Sequence, residues 1–245
     1  MKRFAFVALL AIFTSAAGAS EQGPTFRAHV DLGDRPSLQR GARIFVNYCL
    51  SCHSAAYMRY SRMGADLGLS DQQVKDNLMF STDKIGSTME VALRPDDAVQ
   101  WFGVAPPDLS VIARARGADW LNTFFLGFYE DPGRATGVNN LAFKDTAMPH
   151  VLSELQGMQR AVTETITDAD GVEHEKITGF ELAAPGRMSE AEYRSTVRDL
   201  VNFLVYIGEP AKLERYRIGA WVMLFLLFFT FLAYLLKREY WKDVH

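Results

Sequence analysis

The sequence predicts a mainly α-helical protein, one exported helical domain followed by a single membrane-spanning helix, and three observations predict it. The run Cys49-Leu50-Ser51-Cys52-His53 sits at the end of a segment with helical apolar spacing. Ser189-Glu190-Ala191-Glu192 is a capping box, after which Tyr193, Val197, Leu200, Val201, Leu204 and Val205 recur on one helical face. From Ile218 to Leu236 the chain is apolar and carries no charge.

Taken in order, the chain opens with Lys2 and Arg3, an apolar stretch from Phe4 to Phe13, and the small residues Ala16, Ala17, Gly18 and Ala19. This is the pattern of a secretory signal with cleavage after Ala19, so residues 1–19 are expected to be removed. An uncleaved anchor is disfavoured because the apolar stretch falls short of the roughly 20 residues that a span requires. The body, residues 20–217, shows no internal repeat and no low-complexity linker. The whole chain has a formal charge of -3, and the signal and tail hold more basic than acidic residues, so the body is more acidic still. That balance argues against nucleic acid as a partner and for a basic soluble one, an ordinary solvated acidic surface being the alternative.

Gln39 to Cys52 is expected to be a helix with Ile44, Phe45 and Tyr48 on its apolar side and Gly41 leaving room for another element to cross. The C-x-x-C-H run at its end is the attachment signature of a c-type haem. Cys49 and Cys52 are spaced to form thioethers to the two vinyl groups of one covalently bound haem c, with His53 as proximal iron ligand. A redox C-x-x-C pair or a zinc half-site would need partners that are missing, because the chain has only 2 cysteines and no second Cys/His pair at zinc-finger spacing. Both thiols being committed to haem, no disulfide framework is expected even in an oxidising compartment.

Beyond the motif, Asp71 to Leu78 reads as a short helix and Asp119 to Tyr129 as a longer one. Thr163 to Ile166 and Glu173 to Ile177 flank the turn sequence Asp168-Ala169-Asp170-Gly171, which predicts a small exposed hairpin. The helix after the capping box runs until Gly208 and Pro210 stop it. A first helix crossing a last helix beside the haem is the class I cytochrome c plan, here with insertions.

The sixth iron ligand decides between an electron carrier and an open, ligand-binding site. Outside Met1 and Met223 the candidate methionines are Met58, Met63, Met79, Met89, Met148, Met158 and Met188. Met58 and Met63 follow the attachment helix too closely to reach the opposite haem face, Met79 has a core pattern, and Met188 abuts the last helix. Met148 stands in the turn Thr146-Ala147-Met148-Pro149, where proline stiffens the backbone. Spacing alone leaves Met148 open against the other methionines and His150.

The run from Ile218 to Leu236 would be about 28 Å long at about 1.5 Å per residue, which matches the hydrocarbon thickness of a bilayer. Tyr216, Trp221, Tyr234, Tyr240 and Trp241 flank it as interfacial aromatics. Arg215 and Arg217 precede it and Lys237, Arg238 and Lys242 follow, so flanking charge barely sets the orientation. The signal sets it: a body outside, a span at 218–236 and a cytoplasmic tail at 237–245.

Arg40-Gly41, Tyr48-Cys49, Trp101-Phe102-Gly103, the block Ala105-Pro106-Pro107-Asp108-Leu109-Ser110 followed by Ala115-Arg116, Ala147-Met148-Pro149, and a last helix running into a C-terminal anchor together resemble the cytochrome c1 family. The match covers nearly the whole mature chain, and Ala-Pro-Pro-Asp-Leu-Ser is its most specific part. The resemblance implies the haem subunit of the bc1 complex, with cytochrome b and the Rieske iron-sulfur protein as companions and a soluble cytochrome c as electron acceptor. It implies a bacterial inner-membrane protein, single-pass, with the haem domain in the periplasm. It raises Met148 to the sixth ligand, lines the haem with Pro106 and Pro107, and pairs Arg116 with a propionate. It sets Trp120 where the family often has a propionate-contacting tyrosine, although indole has a donor and no acceptor. No function is carried onto residues 160–185.

Two other classes remain at this stage: a membrane-anchored, peroxidase-like haem enzyme and a haem-based sensor, both with an open iron site. The first normally needs a second haem, while the chain has one C-x-x-C-H; the second needs an output module, while only nine residues follow Leu236. On the carrier reading the chain makes and breaks no substrate bond. Glu130 and Asp131, between a predicted helix and Pro132-Gly133, are expected on an acidic docking face, an ordinary solvated loop being the alternative.

Overall fold

Two helices cross where one of them has a glycine, and the rest of the molecule is arranged around that crossing. The computed structural model describes residues 25–167, 171 and 173–242; the expected signal 1–19, the turn residues 168–170 and the last three tail residues lie outside them. In chain order the elements are α1 (Arg35–Ile44) continued by a π-helical turn (Phe45–Cys49), β1 (Ala55–Arg59), α2 (Tyr60–Leu67), α3 (Asp71–Leu78), β2 (Thr88–Met89), α4 (Pro95–Phe102), α5 (Ile112–Arg116), α6 (Ala118–Leu126), β3 (Phe128–Glu130), β4 (Val138–Asn140), α7 (Ser153–Gln156), β5 (Gly157–Thr167), β6 (Glu173–Pro185), α8 (Glu190–Gly208) and α9 (Lys212–Tyr240). The helical class is as expected.

The first helix starts four residues before the predicted Gln39, because the Asp34 side chain accepts from the Ser37 N–H and Pro36 suits a first turn. Its end departs from regular α geometry: the Leu50 N–H bonds the Phe45 carbonyl, a wider turn that buries Cys49. α1 then crosses α8 at Gly41, where a Cβ would overlap the Asp199 carbonyl oxygen and come within 2.7 Å of Phe203 Cβ. A buried polar cluster locks the crossing. Asp199, 3% exposed, accepts from Ser37 Oγ at 2.6 Å and from Arg40 Nε at 2.5 Å and Nη2 at 3.1 Å, and Asn202 Nδ2 donates to Ser37 Oγ at 2.8 Å. A buried carboxylate is tolerated only when so partnered.

The capping box at the head of α8 forms as read, with Ser189 accepting from the Glu192 N–H and the Glu192 carboxylate accepting from the Ser189 N–H at 2.8 Å. Tyr193, Val197, Leu200, Val201 and Leu204 are buried on its core face. α3 has the predicted bounds. The helix expected over Asp119–Tyr129 ends instead at Leu126, because Gly127 lies against Leu141 and Thr123 so closely that a side chain would clash. The chain continues as β3, paired antiparallel with β4. α2 was not anticipated, although Tyr60, Met63, Gly64 and Leu67 are buried at helical spacing.

Three two-stranded antiparallel sheets complete the domain. The hairpin β5–β6 is longer than predicted, pairing from Gly157↔Pro185 to Thr167↔Glu173, and its outer half is exposed. α9 has 29 residues, uncharged from Ile218 to Leu236 between charged first and last turns, and none is buried among the described residues. A helix apolar all round and unburied requires a hydrocarbon or protein surround.

Candidate haem site

His53 is held by one well-formed bond. Its Nδ1 lies 2.8 Å from the Pro107 carbonyl oxygen, and since a carbonyl only accepts, Nδ1 carries the proton and Nε2 keeps its lone pair. Burial lowers the pKa of the ring, outweighing the Pro107 carbonyl and the Asp108 carboxylate, so the imidazole is neutral at neutral pH and able to ligate a metal. The turn that presents it is local: the N–H groups of Cys52 and His53 both bond the Cys49 carbonyl, at 3.0 and 2.8 Å. Cys49 and Cys52 are not bonded to each other. Burial pushes the Cys49 thiol up to about 12, which keeps it a neutral thiol in this packing.

The Ala-Pro-Pro-Asp-Leu-Ser block is stitched to the segment after the motif. Asp108 accepts from the Ala56 N–H at 2.9 Å and from the Ser110 N–H at 2.8 Å, Ser110 Oγ accepts from the Tyr57 N–H at 3.0 Å, and the Leu109 N–H bonds the Ser54 carbonyl at 2.8 Å. These bonds hold the Pro107 carbonyl against His53. Pro106 and Cys52 line one open cleft of about 350 Å³, together with Leu93, Ala98, Ala105 and the acids Glu90 and Asp108. α4 flanks this cleft with only Ala98 buried, so Trp101, 65% exposed, and Phe102, Val99 and Val104 form an apolar surface beside it.

Arg116 and Trp120 meet each other rather than the cleft. The guanidinium lies 5.0 Å from the indole centroid and 5.8 Å from that of Phe143. Trp120 in turn stacks on Phe124 at 5.2 Å. It thus serves as a platform for Arg116.

Met148 is half-buried against the core and does not line the cleft beside Cys52. Its loop is shaped by two buried asparagines that sequence reasoning missed. Asn139 Oδ1 accepts from the Asn140 N–H at 2.9 Å and the Asp145 N–H at 2.8 Å, and Asn140 Oδ1 accepts from the Ala142 and Phe143 N–H groups at 2.9 and 3.1 Å. Asn140 Nδ2 also donates to the Phe124 carbonyl at 2.7 Å, which ties the loop to α6. Two adjacent asparagines after a glycine were the available signal, easily read as an ordinary turn. The rival methionines fill space: Met58, Met63, Met79 and Met89 are buried in the core, and Met188 accepts from Thr196 Oγ1 at 3.5 Å. His150 is buried too, stacked on Phe128.

Glu130 and Asp131 are already engaged within the chain. Glu130 takes Arg160 Nε at 2.9 Å, and Asp131 accepts from the Gly133 N–H at 3.1 Å and Asn139 Nδ2 at 2.8 Å. The pair shapes the β3–β4 turn.

A neutral histidine oriented through Nδ1, two unbridged thiols in the same turn and an open cleft at the second thiol fit a haem c donor set. Comparison with known proteins agrees: the model of the Cytochrome C1 family matches residues 25–244. The chain belongs to the cytochrome c1 family. It is 47% identical over 246 residues to a cytochrome c1 of Allochromatium vinosum, covering 100% of both chains. It is 44% identical to a Nitrosomonas europaea protein described as ammonia monooxygenase gamma subunit, over 100% of this chain and 99% of that one. A cytochrome c1 of Blastochloris viridis is 27% identical over 86% of this chain and 82% of its own. Membership in the cytochrome c1 family makes haem c the cofactor and electron carrying within the bc1 complex the role, and α9 fits the single-pass anchor of such a protein.

Proposed function

We propose that this chain takes electrons from the Rieske iron-sulfur protein of its complex and passes them to a soluble cytochrome c. Cytochrome b is its membrane companion. Residues 1–19 are the cleaved signal, 20–217 the periplasmic haem domain of a bacterial cell, 218–236 the inner-membrane span and 237–245 the cytoplasmic tail. The single observation that carries the reading is the His53 Nδ1 to Pro107 carbonyl bond in the turn that presents both thiols.

Cys49 and Cys52 would hold the haem by thioethers, His53 Nε2 and Met148 Sδ would ligate its iron, Pro106 and Pro107 would line it, and Arg116 on Trp120 would meet a propionate. When bound, the haem supplies one-electron redox chemistry. The Pro107 carbonyl fixes the imidazole tautomer and ring orientation. A thioether opposite an imidazole favours the reduced state, and a filled sixth position excludes the peroxidase and sensor alternatives. Arg116, raised on an aromatic face, is suited to two directed bonds with a carboxylate.

The surface beside the cleft supports a protein acceptor. Its apolar residues on and just after α4 lie next to the acids Asp96 and Asp97 in the first turn of that helix, with Glu90 on the cleft wall. A basic soluble cytochrome c would be steered to it by charge and held by the apolar centre.

The deciding experiment is Met148→Leu in the intact membrane complex, which conserves volume and removes the thioether. The expected outcome is covalent haem retained on a haem-stained denaturing gel, the near-infrared sulfur-to-iron band gone, a lower potential, and carbon monoxide bound by the reduced protein. A persisting band with an unchanged potential would assign the sixth position elsewhere, and a wild-type protein that binds carbon monoxide readily would return the open-site classes. For the acceptor, stopped-flow reduction of a soluble cytochrome c is expected to slow steeply as salt shortens the roughly 8 Å Debye length at physiological ionic strength. A rate indifferent to salt removes electrostatic steering.

A further inference from the structure

His150 is 8% exposed, two residues beyond Met148, and lies with its ring flat on Phe128, centroids 4.8 Å apart and planes 5° from parallel. Phe128 packs edge-on against Phe124 at 5.1 Å, and Phe124 stacks on Trp120, the platform of Arg116. A continuous aromatic column therefore runs from Arg116 to the Met148 loop. Beyond the ring, the buried side-chain polar atoms without a partner among the described residues are His150 Nε2 and Gln156 Oε1, on two side chains that meet. One is a ring nitrogen that can carry a proton and the other a carbonyl oxygen, a complementary pair that a small rotation of either side chain would join, and leaving such groups buried and unpaired is costly. Gln156 is no loose partner: its Nε2 donates to the Leu126 carbonyl at 3.3 Å, and Gln159 Nε2 donates to the Leu126 and Phe128 carbonyls at 2.7 Å.

We infer that His150 is a positioning residue for Met148: stacked on Phe128 and buried beside Gln156, it anchors one end of the loop whose other end Asn139 and Asn140 anchor, and so sets where the thioether stands. The inference rests on the proposed ligation by Met148. Pro149, between the two residues, restricts the backbone to one φ, so displacement of the ring is passed to Met148 rather than absorbed.

The test uses the full-length protein in its complex, with His150→Phe keeping the stack and removing Nε2, Gln156→Leu removing the acceptor, and His150→Leu removing both. In His150→Leu the near-infrared sulfur-to-iron band is expected to be lost, the potential to fall, and the reduced protein to bind carbon monoxide, with covalent haem retained. His150→Phe and Gln156→Leu are expected to shift the band and lower the potential without abolishing the bond. Should His150→Leu fail to accumulate, the two milder variants decide. Wild-type band, potential and carbon monoxide inertness in the variants overturn the inference. If Met148→Leu keeps the band, the axial assignment fails instead; if Met148→Leu loses it while the His150 and Gln156 variants do not, only the positioning role fails.

Discussion

The two sides of the candidate site are built in different ways. On the attachment side, Cys49, Cys52 and His53 occupy one turn, their backbone bonds are among themselves, and the block that orients His53 is a contiguous stretch from Ala105 to Ser110. On the ligand side, Met148 stands in a loop shaped by Asn139 and Asn140, tied to α6 through the Phe124 carbonyl and packed through His150 on Phe128. The first side is short-range and, on the proposed attachment, would be secured by covalent bonds. The second has no covalent tie and depends on buried polar side chains whose partners come from several elements, so it is where the site can be loosened without losing the cofactor.

The largest effect is expected on the attachment side. Replacing Cys49 and Cys52 together by alanine leaves no thiol in the chain, so a haem-stained denaturing gel should show no band. A stained band at the chain's mass would break the comparison at its root.

Gly41→Ala comes next. The added methyl meets the Asp199 backbone carbonyl, which cannot swing aside as a side chain would, and α1 must move off α8. A cost of roughly 3 kcal/mol is expected in denaturant unfolding. A wild-type midpoint would mean that the crossing relaxes freely.

Asn140→Ala sharpens the contrast. It removes the acceptor of the Ala142 and Phe143 N–H groups and the donor to the Phe124 carbonyl, at 1% exposure, for a cost of about 2 kcal/mol. Covalent haem should survive while the near-infrared band weakens. Loss of stability with an untouched band would show that the loop's shape does not govern Met148.

The smallest effect belongs to Ser189→Ala, which removes the cap of α8 far along the chain from both sides and is expected to cost about 1 kcal/mol with no change in the haem spectrum. A spectral change there would mean that the two sides are coupled through α8.

How much of this was legible follows from the range of the interactions. The C-x-x-C-H run, the capping box, the α3 bounds and the uncharged span are written in neighbouring residues, because thioether spacing, a helix N-terminus and a bilayer crossing each depend on residues a few positions apart or on one unbroken run. Gly41 was read correctly as a crossing point, but its partner pair, Asp199 and Phe203, could be supplied only by the packed α8. The helix over Asp119–Tyr129 was drawn too long because apolar residues continue past Leu126, and what stops it is Leu141 lying against Gly127. Glu130 and Asp131 looked like free surface charge until Arg160, Gly133 and Asn139 were seen to take them.

The sequence by itself determined the C-x-x-C-H run, an apolar run long enough to cross a membrane, and the family resemblance, since each is encoded in local spacing. Only the tertiary structure decided how the histidine is oriented, what shapes the methionine loop, and that Arg116 rests on Trp120, because those contacts join residues distant along the chain and are set by the packing of buried surfaces.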